Sequence, residues 1–147
     1  MRADIRDLRA DRQAIVDVVH DYFDGWFEGD PVRMERALHP GLAKRAPMAA
    51  LLALGARGDR DPDSLDEDTR QTMVEATRQG IGATRATTPE DRAIEVEIVD
   101  VYDWIASVTV RSSIYHEYLH LVRTSEGWKI VNALWQRTLG EGGDEAG

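Results

Sequence analysis

The hydrophobic repeat of this chain changes once, and that change limits the possible folds more than any other feature. From Ile15 to Phe27 apolar residues recur every three or four positions: Ile15, Val18, Val19, Tyr22, Phe23, Trp26 and Phe27. This spacing lays one wide stripe along a helix, with Asp17, His20, Asp21, Asp24 and Glu28 on its other side. From Arg92 onward the repeat is two. Ile94, Val96 and Ile98 alternate with charge, and Val99 and Val101 then shift phase, as they do at a β-bulge. Tyr102-Asp103 reads as a turn, Trp104 to Arg111 as a second strand and Tyr115 to Arg123 as a third. Ser125-Glu126-Gly127 marks a tight hairpin into a fourth strand, Trp128 to Arg137. Helices followed by a meander of long antiparallel strands predict an α+β fold: a curved sheet with helices packed on one face, leaving a cone-shaped pocket.

The helical half carries its own punctuation. Asp4 is the expected N-cap of the first helix, and Gly29 its left-handed stop. Asp30 caps a short second helix with Pro31 at its first position, and Met34, Ala37 and Leu38 give it a buried side. Pro40 disfavours helical geometry at His39 and ends it. Gly41 to Arg45 reads as a short strand, and Pro47 to Gly55 as a short apolar helix. A polar loop follows. Ser64 and Glu67 have the spacing of a capping box, opening a helix that runs to about Gln79 and stops at Gly80. Its thin apolar content (Leu65, Met73, Val74, Ala76) places it on the surface as a lid. The organisation expected is one domain over 1–139, with extra helix-and-loop material near 46–90 and a disordered acidic tail over 140–147.

Composition removes several classes of function. A formal net charge of −9 disfavours nucleic acid and anionic membrane surfaces as partners. The absence of cysteine rules out disulfides, thiolate-bound zinc and a thiol nucleophile. The charged N-terminus lacks the apolar core of a secretory signal, so the expected location is the cytoplasm. No metal and no cofactor is called for. His116 and His120 stand at i and i+4, but no third ligand has a matching spacing. The acidic run Asp59 to Asp68 lacks the spacing of a calcium loop and reads as solvated. Only Lys44 and Lys129 are lysines; every other basic side chain is arginine.

The order of these elements resembles the NTF2-like superfamily, which includes ketosteroid isomerase and the SnoaL-like cyclases. Within it the chain is most similar to the putative lumazine-binding family. Tyr22 to Pro40 (YFDGWFEGDPVRMERALHP), Glu117 to Leu121 (EYLHL) and Gly127 to Trp135 (GWKIVNALW) carry the resemblance. It covers most of the chain and is weakest over 46–90. It implies a fold, not a chemistry, because the superfamily hosts enzymes, binders and interaction modules.

A two-residue turn at Ser125-Glu126 sets Leu121 opposite Ile130, Leu119 opposite Asn132 and Glu117 opposite Leu134. One face then holds Tyr115, Glu117, Leu119, Leu121, Trp128, Ile130, Asn132, Leu134 and Gln136. In the families resembled, the Gly-Trp-x-Ile residues pack inward on the first helix, which implies that this face is the inner one. The expected ligand-binding set is therefore Tyr22, Trp26, Tyr115, Glu117, Leu119, Asn132, Leu134 and Gln136. The outer face receives His116, Tyr118, His120, Val131, Ala133 and Trp135, the expected interface of a homodimer, which the resemblance also implies. On that facing Trp135→Arg yields a monomer or an insoluble protein, and Trp26→Arg unfolds the domain. For Tyr22 and Trp26 a purely structural role in the core is the competing reading. For Glu117 it is a hydrogen bond to Asn132 or to the backbone. His39 is expected to bond the helix end, and His20 to sit on the solvated face.

Three functions fit. One is a binder of a small, flat, largely apolar molecule; a cone filled by side chains, with no cavity above roughly 300 Å³, would count heavily against it. Another is an isomerase, cyclase or dehydratase with Glu117 as general base and Tyr22 as oxyanion donor. A third is a protein-interaction module, motivated by the acidic loop and the apolar outer face.

Overall fold

The computed structural model describes residues 7–55 and 58–140. Helix α1 (Leu8–Glu28) opens where Asp7 accepts a hydrogen bond from the Arg9 amide at 2.9 Å. Asp4, the cap expected from sequence, lies outside the described residues. The helix closes at Gly29, whose φ of 70° is a conformation that glycine adopts without a Cβ clash. Its stripe of Ile15, Val19, Tyr22, Phe23 and Phe27 is buried. Helix α2 (Pro31–Ala37) starts with the Asp30 side chain accepting from the Val32 and Arg33 amides. Asp21 on α1 accepts hydrogen bonds from Arg33 and from Arg36, which clamps the two helices at their corner.

Strand β1 (Leu38–Pro47) follows α2 with no loop between them, so it is twice the length expected and includes His39-Pro40. Pro40 is tolerated there because it falls where the pairing of β1 with its neighbour is irregular, between Leu38 and Ala43. Gly41 donates its amide to His39 Nδ1 at 2.9 Å. Helix α3 (Met48–Ala53) comes next, then strand β2 (Leu65–Asp68) and helices α4 (Arg70–Arg78), α5 (Ile81–Arg85) and α6 (Pro89–Arg92). The Ser64–Glu67 capping box does not form. Leu65-Asp-Glu-Asp pairs with β1 as an edge strand instead, and the capping box sits at Thr69 and Thr72. An acidic strand at a sheet edge resists pairing with other chains, which offsets its poor strand propensity.

Strands β3 (Ile94–Tyr102), β4 (Ile105–Ser112), β5 (Tyr115–Thr124) and β6 (Gly127–Arg137) form the expected antiparallel meander, with the expected bulge at Val99. The full sheet is six-stranded and mixed, in the order β2-β1-β6-β5-β4-β3, with β1 parallel to β6. Helix α1 packs on its inner face over Val108, Val110, Leu119, Leu121 and Ile130. Trp128 is buried there, and its indole donates to Asp11 at 3.3 Å. The fold is thus the α+β cone anticipated. Of the tail, residues 141–147 lie outside the described residues.

One register detail decides which residues face the interior. The Ser125-Glu126 turn is as expected, and Leu121 lies opposite Ile130. The register then shifts: His120 pairs with Asn132, Leu119 with Ala133, Tyr118 with Leu134 and Glu117 with Trp135. Val131 is an extra residue in β6. Beyond it every β6 side chain changes face, because alternation along a strand has a period of two.

Candidate functional site

A cavity of about 270 Å³ lies between α1 and the inner face of the sheet. Tyr22 and Trp26 border it from α1, Lys44 from β1, Asp66 and Asp68 from β2, Tyr115 and Glu117 from β5, and Trp135 from β6. Leu51 of α3, together with Met73, Ala76, Ile81 and Arg85 of α4 and α5, closes it. The segment expected to act as a lid thus lies over the cavity. Its fit is close: a Cβ on Gly82 would stand 2.5 Å from the Trp26 ring, so α5 can rest on Trp26 only with glycine there. The volume falls just below the roughly 300 Å³ set from sequence for a ligand chamber.

The floor is polar. The Tyr22 hydroxyl donates to Glu117 Oε1 at 2.9 Å, and Lys44 Nζ donates to the Tyr22 oxygen. Lys44 Nζ also stands 3.6 Å from Glu117 Oε2, with side-chain exposures of only 7% and 3%. An unpaired ion at that depth costs several kcal/mol, so the trio is mutually dependent. Lys44 approaches the Trp135 ring centroid at 5.1 Å. Its 4.9 Å distance to the Tyr22 centroid follows from the hydrogen bond to that hydroxyl and is not a second attraction. Burial, then the charge and hydrogen bond of Glu117, raise the Tyr22 phenol well above its ordinary pKa. Tyr22 therefore remains a neutral donor.

The wall is aromatic. The Trp26 indole donates to the Tyr115 hydroxyl at 2.8 Å, and Arg85 reaches the same oxygen at 3.4 Å. Tyr115 stacks on Phe27 with centroids 6.1 Å apart and meets the edge of Trp135 at 5.8 Å. At the rim, the Asp66 carboxyl is raised from its ordinary value, first by burial and then by the charge of Asp68, against Arg60 and Lys44.

The structure thus brings Tyr22, Trp26, Tyr115 and Glu117 together around one cavity. Leu119 faces the same side but is sealed in the core. Asn132, Leu134 and Gln136, expected inside, are on the outer face because of the extra residue at Val131. Asn132 and Leu134 are exposed there. Ala133 and Trp135, expected outside, point inward for the same reason. Glu117 bonds Tyr22, not Asn132. His116, Tyr118 and His120 do lie on the outer face: His116 meets Tyr118 edge-on at 5.3 Å, and His120 lies 3.3 Å from Asn132. Half-buried Val131 lines an outer groove with His120 and Asn132. His20 pairs with Asp24 at 3.2 Å on the helix surface. Among the described residues no group of His, Cys, Asp and Glu could hold a metal ion, and no helix is long and apolar enough to cross a membrane.

Lys44, Asp66, Asp68 and Trp135 were not anticipated as site residues. Lys44 had a signal. It is one of two lysines in an arginine-rich chain, and Leu42, Lys44 and Ala46 alternate as one buried face. Asp66 and Asp68 had none, being hidden within an acidic run that reads as a solvated loop.

A long helix laid across a curved mixed sheet, with a partly enclosed chamber between them, is an NTF2-like arrangement. Solved structures agree on the fold. The chain superposes on an NTF2-like protein of unknown function from Silicibacter pomeroyi with a TM-score of 0.64 at 14% identity, covering 90% of this chain and 100% of that one. A second, from Shewanella baltica and also of unknown function, gives 0.62 at 12% identity over 92% and 99%. A protein from Kribbella flavida gives 0.59 at 15% over 95% and 99%. No functionally curated protein matches the chain. The model of the family described as putative lumazine-binding matches residues 10–136, and the chain belongs to that family.

Proposed function

We propose that the protein binds one small, flat, largely apolar molecule bearing a few polar groups, held between the aromatic wall and the Tyr22–Glu117–Lys44 floor. The observation that carries this reading is the cavity itself: partly enclosed, aromatic on its sides, with a buried polar floor and charged Asp66, Asp68 and Arg85 also in its lining. The family's description supports it, since lumazine is a two-ring planar heterocycle. At about 270 Å³ the cavity is not filled by side chains but falls just short of roughly 300 Å³, which limits the ligand to a molecule of about that size. The isomerase reading needs Glu117 and Tyr22 to line one cavity and to face each other across it. Both line the cavity, but at 2.9 Å they are bonded to each other rather than set across it, which favours binding over that chemistry.

A screen of planar two-ring compounds read by tryptophan fluorescence tests the proposal, because Trp26 and Trp135 border the cavity. A hit should quench the emission and raise the melting temperature. Ala76→Phe, which fills the chamber from α4, should abolish the response while the circular dichroism spectrum is kept. A hit that binds Ala76→Phe as tightly as wild type places the ligand elsewhere and refutes the proposal.

A further inference from the structure

Glu117 and Lys44 are each engaged on one side only. Glu117 Oε1 accepts from Tyr22, but among the described residues Oε2 accepts no hydrogen bond; its nearest cation, Lys44 Nζ, is at 3.6 Å, beyond bonding range. Lys44 carries three N–H donors, and one is committed, to the Tyr22 oxygen. Both side chains border the cavity. The floor therefore presents an open acceptor beside an open donor, 3.6 Å apart.

From this juxtaposition, and resting on the binding role proposed above, we infer that the site reads the lactam edge of its ligand: a ring N–H given to Glu117 Oε2 and the adjacent carbonyl accepting from Lys44 Nζ. The dimensions agree. With C=O near 1.23 Å and C–N near 1.33 Å, the oxygen and nitrogen of a lactam lie about 2.2 Å apart. Two hydrogen bonds of about 2.9 Å that splay slightly outward then meet partners 3.6 Å apart. The order of the pair is fixed. Tyr22 is held protonated and turned toward Glu117, so it cannot exchange roles with the carboxylate. Trp26 and Trp135 border the same space, so a planar ring carrying that edge meets apolar walls. A ligand with a carbonyl but no adjacent N–H would leave Oε2 desolvated and unpaired. A site built to bond a group rejects the analogue that lacks it far more strongly than an apolar pocket rejects a change of size.

The test uses three two-ring probes of similar size: quinolin-2(1H)-one, its N-methyl derivative and naphthalene. Each is titrated into the full chain, with tryptophan emission and calorimetry as readouts. The expected result is binding of the lactam at least tenfold tighter than either of the others. Lys44→Met/Glu117→Gln, which removes both charges yet keeps an acceptor for Tyr22, should bring the three probes to within about threefold of one another. N-methylquinolinone or naphthalene binding within twofold of the lactam would overturn the edge reading while leaving the cavity a binding site. No binding by any of the three would overturn it as well, and the compound screen with Ala76→Phe would then decide separately whether the cavity binds at all.

Discussion

Lys44 shows how one side chain fixes the chemistry of a chamber. A strand residue with 6% exposure is an improbable place for an ammonium, and it persists because Glu117 and the Tyr22 oxygen lie beside it. Lys44→Met keeps most of the volume and removes the charge, leaving Glu117 buried with Tyr22 alone. We expect a loss of about 3 kcal/mol in denaturant unfolding, and recovery of most of it in Lys44→Met/Glu117→Gln, where no charge remains to be paired. A single mutant within about 0.5 kcal/mol of wild type would mean the pair is solvated like a surface ion pair. The lysine was partly legible: its rarity in this chain and its place in an alternating strand both marked it. What sequence did not supply was its partner, since no local rule joins residue 44 to residue 117.

At the scale of elements, the corner between α1 and α2 shows what local signals settle well. Gly29, Asp30 and Pro31 dictate the stop, the cap and the restart, and all three behave as read. Arg33 and Arg36 then lock the corner through Asp21. Burial opposes the Asp21 charge, but the hydrogen bonds and charges of the two arginines outweigh it and hold the carboxyl below its ordinary pKa of 3.8. A group depressed in the folded state stabilises at pH values above its unfolded pKa, and that stabilisation fades as pH falls through the folded value. Asp21→Asn should therefore cost about 0.5–1 kcal/mol at pH 7, allowing for partial exposure. The gap between mutant and wild type should narrow once the pH drops below 3.8. A gap that stays constant down to acid unfolding would assign the effect to packing. The less local elements were the ones misread. A capping-box spacing at Ser64 and Glu67 looked like a helix start because β2 exists only through pairing with β1, and that pairing leaves no periodic trace in four residues. The β5–β6 hairpin was read correctly at its turn and wrongly beyond Val131, because a bulge changes parity without changing composition.

For the whole molecule, the outer face of the sheet is the surface that bears on assembly. Tyr118 and Leu134 are about half exposed on it, beside His116 and Gln136 along an outward-opening groove. Covering such side chains yields about 25 cal/mol per Å², and a second copy offers the same apolar surface in return. The prediction is a homodimer through this face in sedimentation at micromolar concentration, converted to a folded monomer by Leu134→Arg or Tyr118→Arg. A monomeric wild type would refute it. Trp135→Arg, expected from the sequence register to split the dimer, should instead disrupt the chamber, because Trp135 points inward. The extra residue at Val131 has a wider meaning for descent within this family. Losing or gaining that one residue would hand the chamber a different set of β6 side chains in a single genetic event, with no substitution at any of them. The lining of the chamber can thus diverge through indels, and two relatives share lining positions along this strand only when their β6 parity is the same.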